Sequence, residues 1–223
     1  MNLQWNLIWD AREALWQGTL ITLQVAFLGF LFAIVVGFVI ALLRMSKSVP
    51  LRLPAIIYTQ FFRGVSLYVL ILWLFFGLPI LTKASLPPFP TAVVALGLLN
   101  SAYMSEIYRG AFKVVRQGQY DAAHAVGLSS AQTMAFIVIP QALRVFIPSA
   151  ANLFVDLLKD AAIIGVVGVF DLMRTADRLT KASFRPFEFY TATAIIYFVL
   201  VFVFARLVVL LERRFSRHEV AVR

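Results

Sequence analysis

Four polar side chains interrupt one predicted membrane-spanning stretch. Asn152, Asp156 and Asp160 recur every fourth residue and so share a helical face, and Lys159 lies one turn from Asp156. Ionisable groups at membrane depth cost roughly 2.5–3.5 kcal/mol each on insertion scales, so they face a partner or a wet cavity. A mixed Asp/Lys set suits the ammonium and carboxylate of a zwitterionic solute on a translocation path. It suits equally well an interhelical ion pair that locks or gates a bundle, and the residue types leave both readings open. Chemistry at a nucleophile or a metal has no such support. The chain has no cysteine, which removes disulfides, thiolate metal sites and cysteine nucleophiles, and its two histidines, His124 and His218, do not cluster. No catalytic or metal-ligating residue is identified, and no cofactor is expected on this chain.

A second constellation lies at residues 121–144, DAAHAVGLSSAQTMAFIVIPQALR. Residues 119–126 suit a short helix, with Asp121 expected in the first turn, where a negative charge complements the helix dipole. Gly127 is expected at the left-handed position that ends it. Ser129 and Gln132 have the spacing of a capping box, so a second helix starts at once. Pro140 and Pro148 fall inside that second helix, each removing a backbone donor and favouring a kink. A short helix joined rigidly to a kinked span is a mechanical handle, although an ordinary helix–turn–helix connection has the same pattern.

The elements that must position these groups follow from composition. Hydrophobic residues make up 61% of the chain and charged residues 14%, against roughly 45–50% and 25% in soluble domains. The chain reads as an all-α integral membrane protein of about five spans: 19–43, 53–81 interrupted at Arg63 and Gly64, 91–108, 130–158 and 189–211. The glycine-bearing run AAIIGVVGVF, 161–170, suggests a broken or re-entrant piece. Gly29, Ala33, Gly37 and Ala41 form a smooth ridge for close helix packing. Trp5, Trp9 and Trp16 suit a short interfacial helix. Arg63, Glu106 and Arg109 read as structure, Glu106 and Arg109 pairing near a span end and Arg63 snorkelling.

Lysine and arginine number three in 44–52, three in 109–132 and five in 206–223, against six on the other side. The bias predicts a cytoplasmic C-terminus and an N-terminus outside. The net charge of +9 then fits loops against anionic headgroups rather than nucleic acid. No signal peptide is expected. One permease-like domain should fill 1–223, with 1–17 an extracytoplasmic interfacial segment, 18–215 the bundle and 216–223 a cytoplasmic tail.

Six segments in order resemble the permease subunits of binding-protein-dependent ABC importers, above all the polar amino-acid uptake branch: FRGVSL at 62–67, YMSEIYRGAF at 103–112, QGQYDAAHAVGLS at 117–129, IPQALR at 139–144, LLKDAAI at 157–163 and FEFYTATAIIY at 187–197. The resemblance covers about 18–215. DAA, the glycine four residues later and Pro140 match the family's EAA signature, whose helix docks into a cleft of the ATPase. The resemblance therefore assigns Asp121, Ala122, Ala123, His124, Gly127 and Pro140 to ATPase coupling. It implies a bacterial inner-membrane permease, a cytoplasmic ABC ATPase dimer carrying ATP and Mg, a second permease chain (itself or a paralogue), and an extracytoplasmic solute-binding protein. Three departures stand out: Asp121 for the usual Glu, Ser66 for a proline after Arg-Gly, and Ala161 for a Thr after Lys-Asp. Asp156 is an acid where the family has a small or uncharged residue, which hints at a cationic solute.

No glycine precedes a lysine anywhere in the chain, so it has no Walker A loop and any ATP is hydrolysed elsewhere. The competing class is an ion-coupled secondary transporter, which the intramembrane charges would suit; no inverted repeat is apparent.

Overall fold

The computed structural model describes residues 3–216, with side chains as far as Arg213. His218 and all but the first residue of the expected tail lie outside these. Among the described residues every regular element is helical: α1 Asn6–Asp10, α2 Arg12–Met45, α3 Val49–Gly64, α4 Leu67–Leu72, α5 Leu78–Thr82, α6 Pro88–Lys113, α7 Gln117–Ala125, α8 Ser130–Thr133, α9 Ile139–Asp160, α10 Leu172–Ser183 and α11 Pro186–Ser216. A π turn, Trp73–Gly77, joins α4 to α5, and another, Met134–Val138, joins α8 to α9. Each ends two residues before a proline, Pro79 and Pro140. Proline lacks the N–H that the carbonyl four residues back would accept and its ring crowds that carbonyl; a wider turn relieves both. At Pro148, by contrast, α9 continues unbroken.

Three stretches are long and apolar enough to cross a membrane: Arg12–Met45, Ser130–Val167 and Pro186–Arg213. The pair α3 and α4–α5 makes a fourth if taken as one span, and it is bent by 105°. The expected second span is thus two half-length arms, not one interrupted rod. Val65 and Ser66 are both extended at the bend. Ser66 has φ −72°, a value that proline also adopts, so the bend survives the departure from the family's proline. α6 is long enough to span but carries Asn100, Ser101 and Ser105, all buried. These polar groups are tolerated because their own helix satisfies them: Asn100 donates to the Leu96 carbonyl at 2.9 Å, Ser101 to Leu98 at 2.7 Å and Ser105 to Ala102 at 2.8 Å.

α6 and α2 form the centre of the bundle, and the small-residue ridge explains why. Gly29, Ala33, Gly37 and Ala41 are all buried along α2. A Cβ on Gly37 would stand 2.7 Å from Met104 Cβ, and one on Gly97 would stand 2.5 Å from a ring atom of Phe32. Each helix removes a side chain where the other inserts one, so the backbones approach closely. The apolar core around Val25, Ile71, Leu96, Leu157 and Ile164 lies beside this contact.

Two expectations about the remaining segments change. Trp16 belongs to the continuous α2 and not to a separate interfacial helix; only Trp9 falls in the short α1, with Trp5 capping it. Residues Ala161–Val167 are neither broken off nor re-entrant. They continue α9 as a tighter helical turn that ends at Gly168, φ +96°.

At this end of the bundle Asp171 caps α10, accepting from the Met173 and Arg174 amides at 3.1 and 3.2 Å. Thr22 of α2 accepts from the Leu172 amide at 3.1 Å. Gly18 makes room: a Cβ there would stand 2.9 Å from Thr175 Oγ1 and 3.0 Å from Leu172 Cα. The Asp171 carboxyl is fully buried. Burial pushes its pKa up to about 6, opposed by the Arg174 and Met173 amides.

Candidate functional site

The element at the opposite end is α7 with the turn that follows it. α7 starts at Gln117, two residues earlier than expected, so Asp121 lies in the second turn and not beside the unpaired amides at the start. Its carboxylate instead accepts from Gln117 Nε2 at 3.2 Å. The end of α7 follows the sequence. Gly127 has φ +81°, its amide donates to the His124 carbonyl and the Leu128 amide to the Ala123 carbonyl, both at 3.0 Å. That pair of bonds is a Schellman motif. Ser129 then caps α8: its hydroxyl accepts from the Gln132 amide at 3.3 Å, and Gln132 Oε1 accepts from the Ser129 amide at 2.9 Å.

With both ends of the turn hydrogen-bonded, α7 leaves α8 at a set angle. A further tie fixes it to α9, Gln141 Nε2 donating to Gln119 Oε1 at 2.7 Å. Gln141 follows Pro140 directly, in the first turn of α9. Asp121, Ala122, His124, Val126 and Gly127 are exposed, whereas Ala123 is buried against the chain itself. Val126 is 75% exposed, an apolar side chain presented at the tip with nothing of this chain over it.

The second site is a cleft of about 380 Å³ between α3, α6 and α9, lined by Arg63, Tyr103, Glu106, Ser149, Asn152 and Asp156 among others. Of the four polar residues that the sequence singles out on α9, Asn152 and Asp156 reach it; Lys159 and Asp160 do not line it. Lys159 pairs with Asp156 at 3.0 Å on the surface. Asn152 donates to Glu212 of α11 at 3.2 Å, a partner that falls near the chain terminus and carries no sequence signal. Ala161, where the family has Thr, is wholly buried in the apolar core.

The residues missed as site candidates are Arg63, Tyr103, Glu106 and Ser149. Glu106 is a hub: Arg44 Nη1 lies 2.7 Å from Oε1, Arg109 Nη2 2.6 Å from Oε2 and Arg63 Nη1 3.6 Å from Oε1. One carboxylate thereby ties the ends of α2 and α3 to α6. Arg63 does not snorkel away; its guanidinium lies over the Tyr103 ring, 5.5 Å from the centroid. The spacing of Glu106 and Arg109 signals their own pair, but nothing local in sequence signals Arg44 or Arg63. The cleft thus carries the Arg63–Glu106 pair on one wall and Asp156, paired with Lys159, on the other. Among the described residues no group of three His, Asp or Glu side chains is arranged to hold a metal ion.

Residues 17–217 match the family model described as "Binding-protein-dependent transport system inner membrane component". Among curated relatives, the probable amino-acid permease protein YxeN of Bacillus subtilis (strain 168) is 33% identical over 96% of this chain and 97% of its own length. The glutamine transport system permease protein GlnP of Escherichia coli (strain K12) is 30% identical over 96% of this chain and 98% of its own. Among solved structures, a chain from a crystal structure of an amino acid ABC transporter with histidines superposes with TM-score 0.90 at 34% identity, covering 96% of this chain and 100% of that one. A chain of the inward-facing MetNI methionine ABC transporter shares the fold, with TM-score 0.72 at 18% identity and the same coverage.

Proposed function

The chain belongs to the family of binding-protein-dependent transport system inner membrane components, and on that premise we propose that it carries a polar amino acid, with preference for a cationic one, through the cleft between α3, α6 and α9. It is a permease subunit of an ABC importer and not an enzyme; ATP is hydrolysed on a separate ATPase chain. The observation that carries the substrate reading is the charge layout of the cleft. Arg63 on one wall can take a carboxylate, Asp156 on the other an ammonium, and Tyr103 borders the space between them. Curated relatives named for amino-acid and glutamine transport support the same class. Lys159 and Asp160 flank Asp156 towards the α10 end and set the local field there without entering the cleft.

The proposed topology has five spans: α2, the bent α3–α5 pair, α6, the α8–α9 rod and α11. The N-terminus lies outside, so that α7 faces the cytoplasm. Lysine and arginine counts favour it. The α8–α9 rod is 38 residues long to Val167, more than about 50 Å at 1.5 Å per residue, and exceeds a hydrocarbon core of about 30 Å. Its surplus would carry α7 clear of the bilayer. There the exposed Asp121, Ala122, His124 and Val126 meet the ATPase, which supplies ATP and Mg. Ala123 seats α7 on its own chain, and Gly127 with Pro140 passes the motion into α9. A second permease chain completes the path, and an extracytoplasmic binding protein delivers solute beside α10.

The experiment is uptake of labelled arginine and glutamine by the complete complex in vesicles, with and without Asp156→Asn. Loss of a charge-assisted contact should lower uptake of the cationic solute about tenfold or more at subsaturating concentration, with glutamine less affected and assembly intact. Equal uptake of both solutes by wild type and variant would defeat the cleft assignment.

A further inference from the structure

A second cleft, of about 400 Å³, opens at the α7 end, on the other side of Glu106 from the proposed solute path. It is lined by Arg44, Met45, Ile56, Arg109 and Lys113. Three cations face it, and the one carboxylate within reach, Glu106, is already shared between Arg44, Arg109 and Arg63. Lys113 has no acidic partner among the described residues. The Arg44 side chain is only 11% exposed, and its Nε is buried with no hydrogen-bond partner. That nitrogen is closed off from the cleft, but three cations against the single Glu106 carboxylate leave a net charge of +2 around the space, which an anion from outside the chain would balance.

The balancing group must be an anion with several oxygens, because three cationic groups from two helix ends converge on one space. Position narrows it further. Arg44 and Lys113 lie at the last turns of α2 and α6, where spans meet the membrane surface. Ile56 and Met45 give the cleft an apolar edge, and α3 continues that edge with exposed Leu53 and Ile57. A phosphate flanked by acyl chains fits both halves, and basic pockets between span ends bind such headgroups. We propose that this cleft binds the phosphate of an acidic phospholipid of the inner leaflet, held by Arg44, Arg109 and Lys113. The leaflet rests on the topology proposed above; the chemistry of the site does not. Occupancy would tie the ends of α2, α3 and α6 together beside the segment that leads into α7.

Native mass spectrometry of the complete complex, released into mild detergent, tests this. Phosphatidylglycerol and phosphatidylcholine of matched acyl chains are titrated in turn, with inorganic phosphate as competitor. The expected result is one phosphatidylglycerol per copy of this chain, retained in preference to phosphatidylcholine. Lys113→Gln should weaken that retention about fivefold, while Lys47→Gln, in the adjacent turn but outside the cleft, should leave it unchanged. Equal retention of the two lipids, no effect of Lys113→Gln, or equal loss in both variants would overturn the site. Displacement by millimolar inorganic phosphate would overturn the lipid assignment and give the cleft to a soluble anion. Because the readout needs neither uptake nor ATP hydrolysis, failure of the importer reading would show separately, as absence of a co-purifying ATPase.

Discussion

Replacing Gly127 isolates the backbone contribution to coupling. Its φ is +81°, and a Cβ built on it meets nothing of this chain within 4 Å, so Ala introduces no clash within the chain and its effect there is conformational. Holding a non-glycine residue in the left-handed region costs roughly 1–2 kcal/mol, more for a β-branched side chain and least for Asn. If the residue relaxes to negative φ, the two 3.0 Å bonds from Gly127 and Leu128 to His124 and Ala123 break, and α7 loses its fixed angle to α8. A cost of that size shifts the population of the locked turn about 5- to 30-fold. Solute taken up per ATP hydrolysed, measured with the complete complex in vesicles, should therefore fall in the order Gly, Asn, Ala, Val. Thermal stability should fall by no more than that backbone cost, because no packed side chain is altered. Wild-type coupling in Gly127→Val would refute the view that the rigid turn transmits motion.

Gly37→Ala places a methyl 2.7 Å from Met104 Cβ and 2.9 Å from the Ser101 carbonyl, so it should destabilise by about 1–3 kcal/mol. Gly110→Ala in the same helix pair, with nothing within 4 Å, should be neutral or stabilising; equal melting shifts would contradict the interlocked ridge. Glu106→Gln leaves Arg44 largely buried without its carboxylate and should cost roughly 1–3 kcal/mol; an unchanged melting temperature would show that the hub is not what ties these ends together. Asp171 has a folded pKa of about 6 against a usual 3.8. Its protonated form is the one favoured by burial, so stability contributed below about pH 4 is lost as pH rises to about 6 and stays lost above it. Asp171→Asn keeps a capping side chain and should flatten that pH dependence of the melting temperature, and an unaltered profile would exclude this carboxyl as its source.

The parts of the molecule that sequence alone determined are those governed by local rules. A left-handed glycine, a Ser-x-x-Gln capping box and prolines at set offsets act within a few residues, so the α7–α8 turn was legible to the hydrogen bond, and the Gly29 to Ala41 ridge to the packed face. Uncharged runs of spanning length fixed the membrane class for the same reason, since solvation of a helix needs no partner to be counted. Even here the start of α7 moved, because helix ends are decided by marginal first-turn energies, and Asp121 lost its expected place beside the dipole. Tertiary structure decided everything that depends on which helix lies opposite. The 105° bend between α3 and α4 brings Arg63 to Glu106, the α2 end brings Arg44, and α6 turns Tyr103 into the cleft with Asp156; these residues are far apart in the chain, and no spacing rule links them. The same arrangement divided the polar stripe on α9, leaving Asn152 and Asp156 in the cleft and Lys159 and Asp160 outside it. Helical periodicity assigns residues to a face, but only the packing of neighbouring helices determines how much of that face borders a cavity.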